Sequence, residues 1–178
     1  MIKPLRIILL ILPISLLWAC NTNLPMIQPG SNTPPSTSLN AFNQEILNSV
    51  NTARATARSC GGKSYPAVAA LAWNSKLEAA ARAHNQDMLD HNFFDHTGSD
   101  GSSPWDRFKR QGYALGSGGE NIARGQPTLQ AVINAWLSSP GHCANIMGAN
   151  FSEIGVAALY PNSSPNSPYW TMDLASPR

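Results

Sequence analysis

The sequence is short of the signatures that mark common enzyme chemistry. It holds no H-E-x-x-H pair, which excludes the standard zinc-protease arrangement. The run Gly116-Ser117-Gly118-Gly119 fits neither G-x-G-x-x-G nor a P-loop, so no phosphate cradle is encoded there. Ser117 has a leucine two residues before it and therefore forms no G-x-S-x-G nucleophile elbow. Charge of one sign is not in excess either: 12 Lys and Arg stand against 10 Asp and Glu, and Lys3 and Arg6 make up the difference. Without a basic stripe, a nucleic-acid partner is not expected. The apolar run from Ile7 to Trp18 falls short of the roughly 20 residues a membrane-spanning helix needs. No internal repeat is present. Cysteine is scarce, with 3 in the chain, and no histidine cluster accompanies any of them to form a zinc-finger pattern.

What is present begins at the amino terminus. Lys3 and Arg6 followed by that short apolar run read as a signal peptide over residues 1–19. The run ends in Leu17-Trp18-Ala19-Cys20, which resembles a bacterial lipobox. The resemblance implies cleavage before Cys20 and acylation of its thiol and new amino group. At roughly 0.8 kcal/mol per buried methylene, several acyl chains would make a lasting membrane anchor. The expected location is therefore the cell envelope outside the cytoplasm, at the outer membrane or cell surface. Residues 20–38 continue with a stretch rich in Pro, Ser, Thr and Asn, which reads as a disordered tether. Setting Cys20 aside leaves Cys60 and Cys143, an even number in an exported chain. A disulfide between them is expected, with two buried free thiols as the alternative.

Residues 39–178 carry the periodicities of one α+β domain. Phe42, Ile46, Val50 and Ala53 recur at helical spacing and predict a helix from about Leu39 to Ala57, ended by Gly61-Gly62 and Pro66. A second helix is expected from Ser75, with Glu78 closing a capping box. Its face of Leu77, Ala81, His84 and Met88 puts His84 at the core edge, with His91 exposed at the helix end. Ser103-Pro104-Trp105-Asp106 starts a short helix that ends near Gly112, with Trp105 and Phe108 expected in the core. Gly116 to Gly119 reads as a flexible loop delivering Glu120. Another helix, Thr128 to Leu137, is stopped by Pro140-Gly141, which turn His142 aside. Ile154 to Tyr160 and Tyr169 to Ala175 read as a hairpin with a long connection, and Leu71-Ala72-Trp73 as a third strand.

Chemistry-bearing residues sit in three separate segments: Phe93-Phe94-Asp95-His96-Thr97, Gly119-Glu120-Asn121-Ile122-Ala123 and Trp136-Leu137-Ser138-Ser139-Pro140-Gly141-His142. Their order, followed by Ile154-Gly155-Val156 and Tyr169-Trp170-Thr171, resembles the CAP superfamily of cysteine-rich secretory, antigen 5 and pathogenesis-related proteins, in its bacterial branch. The resemblance implies a three-layer α-β-α sandwich with a small antiparallel sheet. It also implies a cleft tetrad of two histidines and two acids. His96, Glu120 and His142 match three of its members, whereas the stretch expected to hold the second acid reads Leu137-Ser138-Ser139. Ser139, Asn121 and His84 are secondary cleft candidates, and Trp105, Tyr113, Tyr160 and Trp170 candidate wall residues.

Three functions are weighed on this set. The favoured one is a monomeric binding module, not an enzyme, for an apolar small molecule, a lipid or an envelope protein. The second is a metal-dependent hydrolase, with His96 and His142 holding zinc or another divalent cation. In the third, a scaffold, Glu120 and His142 bond one another to fasten the loops. A Ser138 or Ser139 nucleophile with His142 as base is set against the commoner role of serine as a cap before Pro-Gly.

Overall fold

Ile46, Val50 and Ala53 form the buried stripe of helix α1 (Ala41–Arg54) in the computed structural model, which describes residues 39–163 and 166–178. The signal-peptide, lipidation and tether readings concern residues 1–38 and lie outside the described residues. Asn40 caps α1 by accepting the Asn43 amide at 2.8 Å. Phe42 leaves the stripe; it is 37% exposed and stacks on Trp170. A short hairpin of β1 (Arg58–Cys60) and β2 (Lys63–Tyr65) follows. It turns on Gly61, whose φ of +60° suits glycine and where an added Cβ would stand 2.6 Å from the Pro140 ring.

After β3 (Ala72–Trp73), helix α2 (Ser75–Asp90) starts one residue earlier in its capping than the sequence suggested. Asn74, not Ser75, accepts the Lys76 and Leu77 amides. Glu78 therefore closes no capping box and instead accepts the Asn43 amide group and the Trp73 indole N–H, each at 3.1 Å. The expected Ser103–Asp106 capping box opens α3 (Pro104–Arg110). Phe108 is buried there, but Trp105 is 38% exposed.

The glycine-rich stretch is not a flexible loop. It belongs to β4 (Leu115–Arg124), and its glycines serve close packing. A Cβ on Gly118 would stand 2.5 Å from the Trp105 ring, and one on Gly119 would stand 3.0 Å from Phe151. Thr128 caps α4 (Leu129–Ser138). Pro140 does stop α4, but as the first residue of a further helix, α5 (Pro140–Ile146), which carries His142. Strands β5 (Glu153–Leu159) and β6 (Tyr169–Pro177) form the expected hairpin.

The main sheet runs β3-β5-β6-β4, antiparallel except for the parallel β3–β5 pair. Helices cover both faces, which makes the three-layer α-β-α sandwich. Period-2 alternation along β6 assigns the faces. Trp170, Met172 and Leu174 join the core under α1, α4 and α5, whereas Tyr169 and Ala175 pack with α2 residues. Thr171, on the α2 face, donates to Asn85 at 2.7 Å. Strand β4 lies at an edge, and its free carbonyls are not left open. Asn145 donates to the Glu120 carbonyl at 3.2 Å and the Trp136 indole to that of Ile122 at 3.3 Å.

Candidate functional site

The site is built around Glu120 on the edge strand. Its side chain is 2% exposed and faces the α2–α3 layer. His96, in the loop between α2 and α3, donates from Nδ1 to Oε1 at 2.7 Å. A carboxylate only accepts, so the Nδ1 proton is fixed on that nitrogen and Nε2 is directed elsewhere. Arg107 on α3 donates from one terminal nitrogen to Oε2 at 2.7 Å and to the His96 carbonyl at 3.0 Å. Its other terminal nitrogen holds the Ser102 carbonyl at 3.0 Å. One guanidinium thus fixes the carboxylate and the loop that bears the histidine.

Electrostatics follow from this geometry. Burial alone would raise the Glu120 pKa, but the His96 hydrogen bond and the Arg107 charge outweigh it and hold it below the usual value. The same hydrogen bond raises His96 above the ordinary imidazole value. His142 moves the other way, lowered first by burial and then by the charge of His96. The two histidines are therefore near enough to sense each other yet unequal. One favours the imidazolium form and the other the neutral ring.

His142 reaches the site from the opposite layer. Two anchors place α5: a disulfide joins Cys143 to Cys60 in β1, and Arg54 donates to the Ile146 carbonyl at 2.6 Å near the helix end. Asn121, fully buried on β4, donates to the His142 carbonyl at 3.1 Å and accepts from Asn145 at 2.8 Å. Asn121 is thus a brace behind the cleft rather than a lining residue. Glu120 and His142 share no hydrogen bond among the described residues, so they do not fasten the loops by bonding each other. Their segments are joined through Asn121 and Asn145. Between His142 and the β4 edge lies a groove of about 290 Å³, lined in part by Phe94, Ile122, Trp136 and Ser139. Phe94 is 46% exposed at its mouth.

His84 is not in this groove. It is fully buried under Glu120, with Nε2 donating to the Asp95 carbonyl at 2.9 Å. Tyr113 and Trp170 are core residues, while Tyr160 is exposed and packs edge-on to Trp170. Trp105, Tyr113, Tyr160 and Trp170 all lie outside the groove lining.

Two functional neighbours escaped the sequence reading. Arg107 carried a signal in retrospect, since a buried glutamate needs a cation and Arg107 adjoins Phe108 on the inner side of a capped helix. Asp173 carried another: it alternates with Tyr169, Thr171 and Ala175 on a buried strand face, where an acid is rare. Asp173 is fully buried and pairs in register with Glu120 on the adjacent strand. Burial, with Glu120 as its neighbour, pushes its carboxyl well above the usual range, against the opposing effect of Arg107.

A catalytic zinc set would need a carboxylate oxygen free to ligate. Both oxygens of Glu120 are committed to His96 and Arg107. Among the described residues no group of three His, Cys, Asp or Glu side chains is placed to hold a metal. His96 and His142 alone do not fit a three-ligand centre.

The three-layer α-β-α sandwich is the fold of the secretory-type CAP domains. The model of the cysteine-rich secretory protein family matches residues 47–174, and the chain belongs to that family. It is 45% identical over 87 residues to the uncharacterized protein YkwD of Bacillus subtilis (strain 168), a match covering 49% of this chain and 34% of that protein. It is 29% identical over 89 residues to the uncharacterized membrane protein YlbC of the same organism, covering 50% and 26%. The chain therefore spans about a third or less of those relatives. Among solved structures, an extracellular SCP-domain protein of Bacillus anthracis str. Ames superposes with a TM-score of 0.61 at 27% identity, covering 75% of this chain and 39% of that one. An outer surface protein of Borrelia burgdorferi gives a TM-score of 0.60 at 20% identity, covering 76% and 89%.

Proposed function

We propose that this chain is an extracytoplasmic binding module, taking an apolar small molecule or a segment of an envelope protein in the groove beside His142. One observation carries the reading. The groove presents Phe94, Ile122 and Trp136 next to a neutral-leaning imidazole, while the Glu120 carboxylate of the cleft is spent on fastening loops. A pocket of that kind, mostly apolar with few fixed polar groups, suits binding. Hydrolysis has less support, because a base with both oxygens engaged is poorly placed to activate water.

Native mass spectrometry of protein taken gently from envelope extracts tests this. A retained small molecule or partner, lost in a Trp136→Ala, His142→Ala variant that remains folded, is the expected result. Recovery of the bare mass alone under every mild condition would reject it.

Export and a lipid anchor at Cys20 belong to the same proposal. The disulfide supports the oxidising compartment. The extracellular and outer-surface descriptions of the structural neighbours agree with it. No helix among the described residues is long and apolar enough to cross a membrane. Labelled palmitate should enter the wild-type chain and be absent from Cys20→Ser; label that survives the substitution refutes the anchor.

A further inference from the structure

The β4–β6 register sets Glu120 directly across from Asp173, and alternation points both side chains into the α2–α3 layer. Directly opposed residues on antiparallel strands hold their Cβ atoms about 4.5–5.5 Å apart. Both carboxyls are buried, Glu120 at 7% and Asp173 at 0% residue exposure. Two carboxylates this close in a dry interior cannot both stay ionised. Glu120 has the cationic partners, since His96 and Arg107 each donate to it. Neither oxygen of Asp173 accepts a hydrogen bond from any donor among the described residues.

The remaining charged and titratable groups around Asp173 do not change that balance. From α3, Arg107 has its two terminal nitrogens on Glu120, His96 and Ser102, with Nε unpartnered. From α2, His84 donates its Nε2 proton to the Asp95 carbonyl, which leaves Nδ1 a bare, unpartnered acceptor. Burial keeps that ring neutral. From β5, the register partner of Asp173 is Gly155, which brings no charge. Both cations, Arg107 and His96, are therefore turned on Glu120, and an ionised Asp173 would be a buried negative charge with no donor in contact.

We infer that Asp173 is a protonated acid that donates its hydrogen to Glu120, supplying the cleft with a second acid from β6 where the α4–α5 junction has only Ser138 and Ser139. A carboxylate has about four lone-pair sites, so Glu120 can accept this third donor beside His96 and Arg107. Asp173 is then a positioning residue: it orients the Glu120 carboxylate and through it the His96 ring. The inference stands on the cleft's own geometry and not on any ligand, so it survives or fails separately from the binding reading.

Infrared spectroscopy of the wild-type protein at neutral pH should show the C=O stretch of a protonated carboxylic acid, absent from Asp173→Asn. Asparagine keeps a neutral donor at the same place. Asp173→Asn should therefore leave the His96 NMR titration midpoint where it is in the wild type. Asp173→Leu removes the donor and should raise the midpoint of Glu120. An acid whose folded pKa is raised favours folding less as pH climbs through the window between its unfolded and folded values. The melting temperature of Asp173→Asn relative to wild type should therefore rise from pH 4 towards pH 8, roughly the range above an unperturbed aspartate. The inference is overturned by an infrared spectrum holding only carboxylates at neutral pH. It is equally overturned by a fall of the His96 midpoint in Asp173→Asn, or by a protonated His84 at neutral pH, since either reveals an ionised Asp173. The wild-type infrared and His84 measurements decide the matter even where a variant does not fold.

Discussion

Arg107 and Glu120 form a buried ion pair in the cleft, with side chains 6% and 2% exposed. Removing one partner strands the other charge in a dry site, which costs about 3–5 kcal/mol. Urea unfolding should show Arg107→Ala and Glu120→Ala each destabilised by roughly that amount. His96→Ala should lose less than about 1 kcal/mol, because the His96 side chain is 51% exposed and its pairing is screened. An Arg107→Ala variant as stable as wild type would contradict this picture. The signs of the pKa shifts set a pH window. Glu120, lowered on folding, stabilises above its unfolded value of about 4.3 and loses that contribution as pH falls through its folded value. His96, raised on folding, stabilises below about 6.5 and loses its contribution as pH rises through its folded value. Their pairing is therefore strongest between those limits. NMR titration should find His96 above and His142 below about 6.5, with Glu120→Gln bringing His96 down. His96, Glu120 and His142 were named through the family resemblance of their segments, and the structure joins the first two directly while it carries His142 on α5. Arg107 and Asp173 were not legible, because a lone Arg on a short helix and a lone Asp in a strand look like surface residues until burial is known.

At the scale of elements, the cleft depends on how closely helices sit on the sheet. Gly155 of β5 faces the first turn of α2, where an added Cβ would collide with the backbone nitrogen of Glu78. A flexible side chain could give way; a capped helix cannot. Gly155→Ala should cost more than the roughly 1–3 kcal/mol of ordinary overpacking, read by chemical denaturation. A variant of near wild-type stability would show that α2 can shift. The helix periods of α1, α2 and α4 and the alternation of β5 and β6 were readable because each buries a continuous face. Strand β4 was not: four of its first five residues are Leu115, Gly116, Gly118 and Gly119, and a glycine carries no side chain to reveal which way the backbone faces. Helix α5 was missed for a related reason. Pro-Gly stops one helix, and the partners that hold the next seven residues, Cys60 and Arg54, lie far away in the sequence.

For the whole molecule, the Cys60–Cys143 bond spans 83 residues and ties the β1 hairpin to the helix that carries His142. A loop of that size is worth roughly 4–5 kcal/mol in the chain-entropy model. Cys60→Ser, Cys143→Ser should lower stability by about that much and should broaden the His142 resonances more than those of His96. Equal broadening of both would mean that α5 is held by Arg54 and packing alone. The chain by itself determined the α+β class, the pairing of its two domain cysteines and, through its resemblance to known proteins, the family. The class follows from local periodicity and the cysteine pairing from counting, whereas the family follows from the order of motifs that the chain shares with it. Tertiary structure decided which charges meet: that Glu120 binds His96 and Arg107 rather than His142, that His84 lies behind the cleft, and that Asp173 stands opposite Glu120. Such contacts join residues 13 to 53 positions apart across two layers and a strand register. No local sequence pattern encodes that juxtaposition, because it exists only once the sheet has paired and the helices have closed over it.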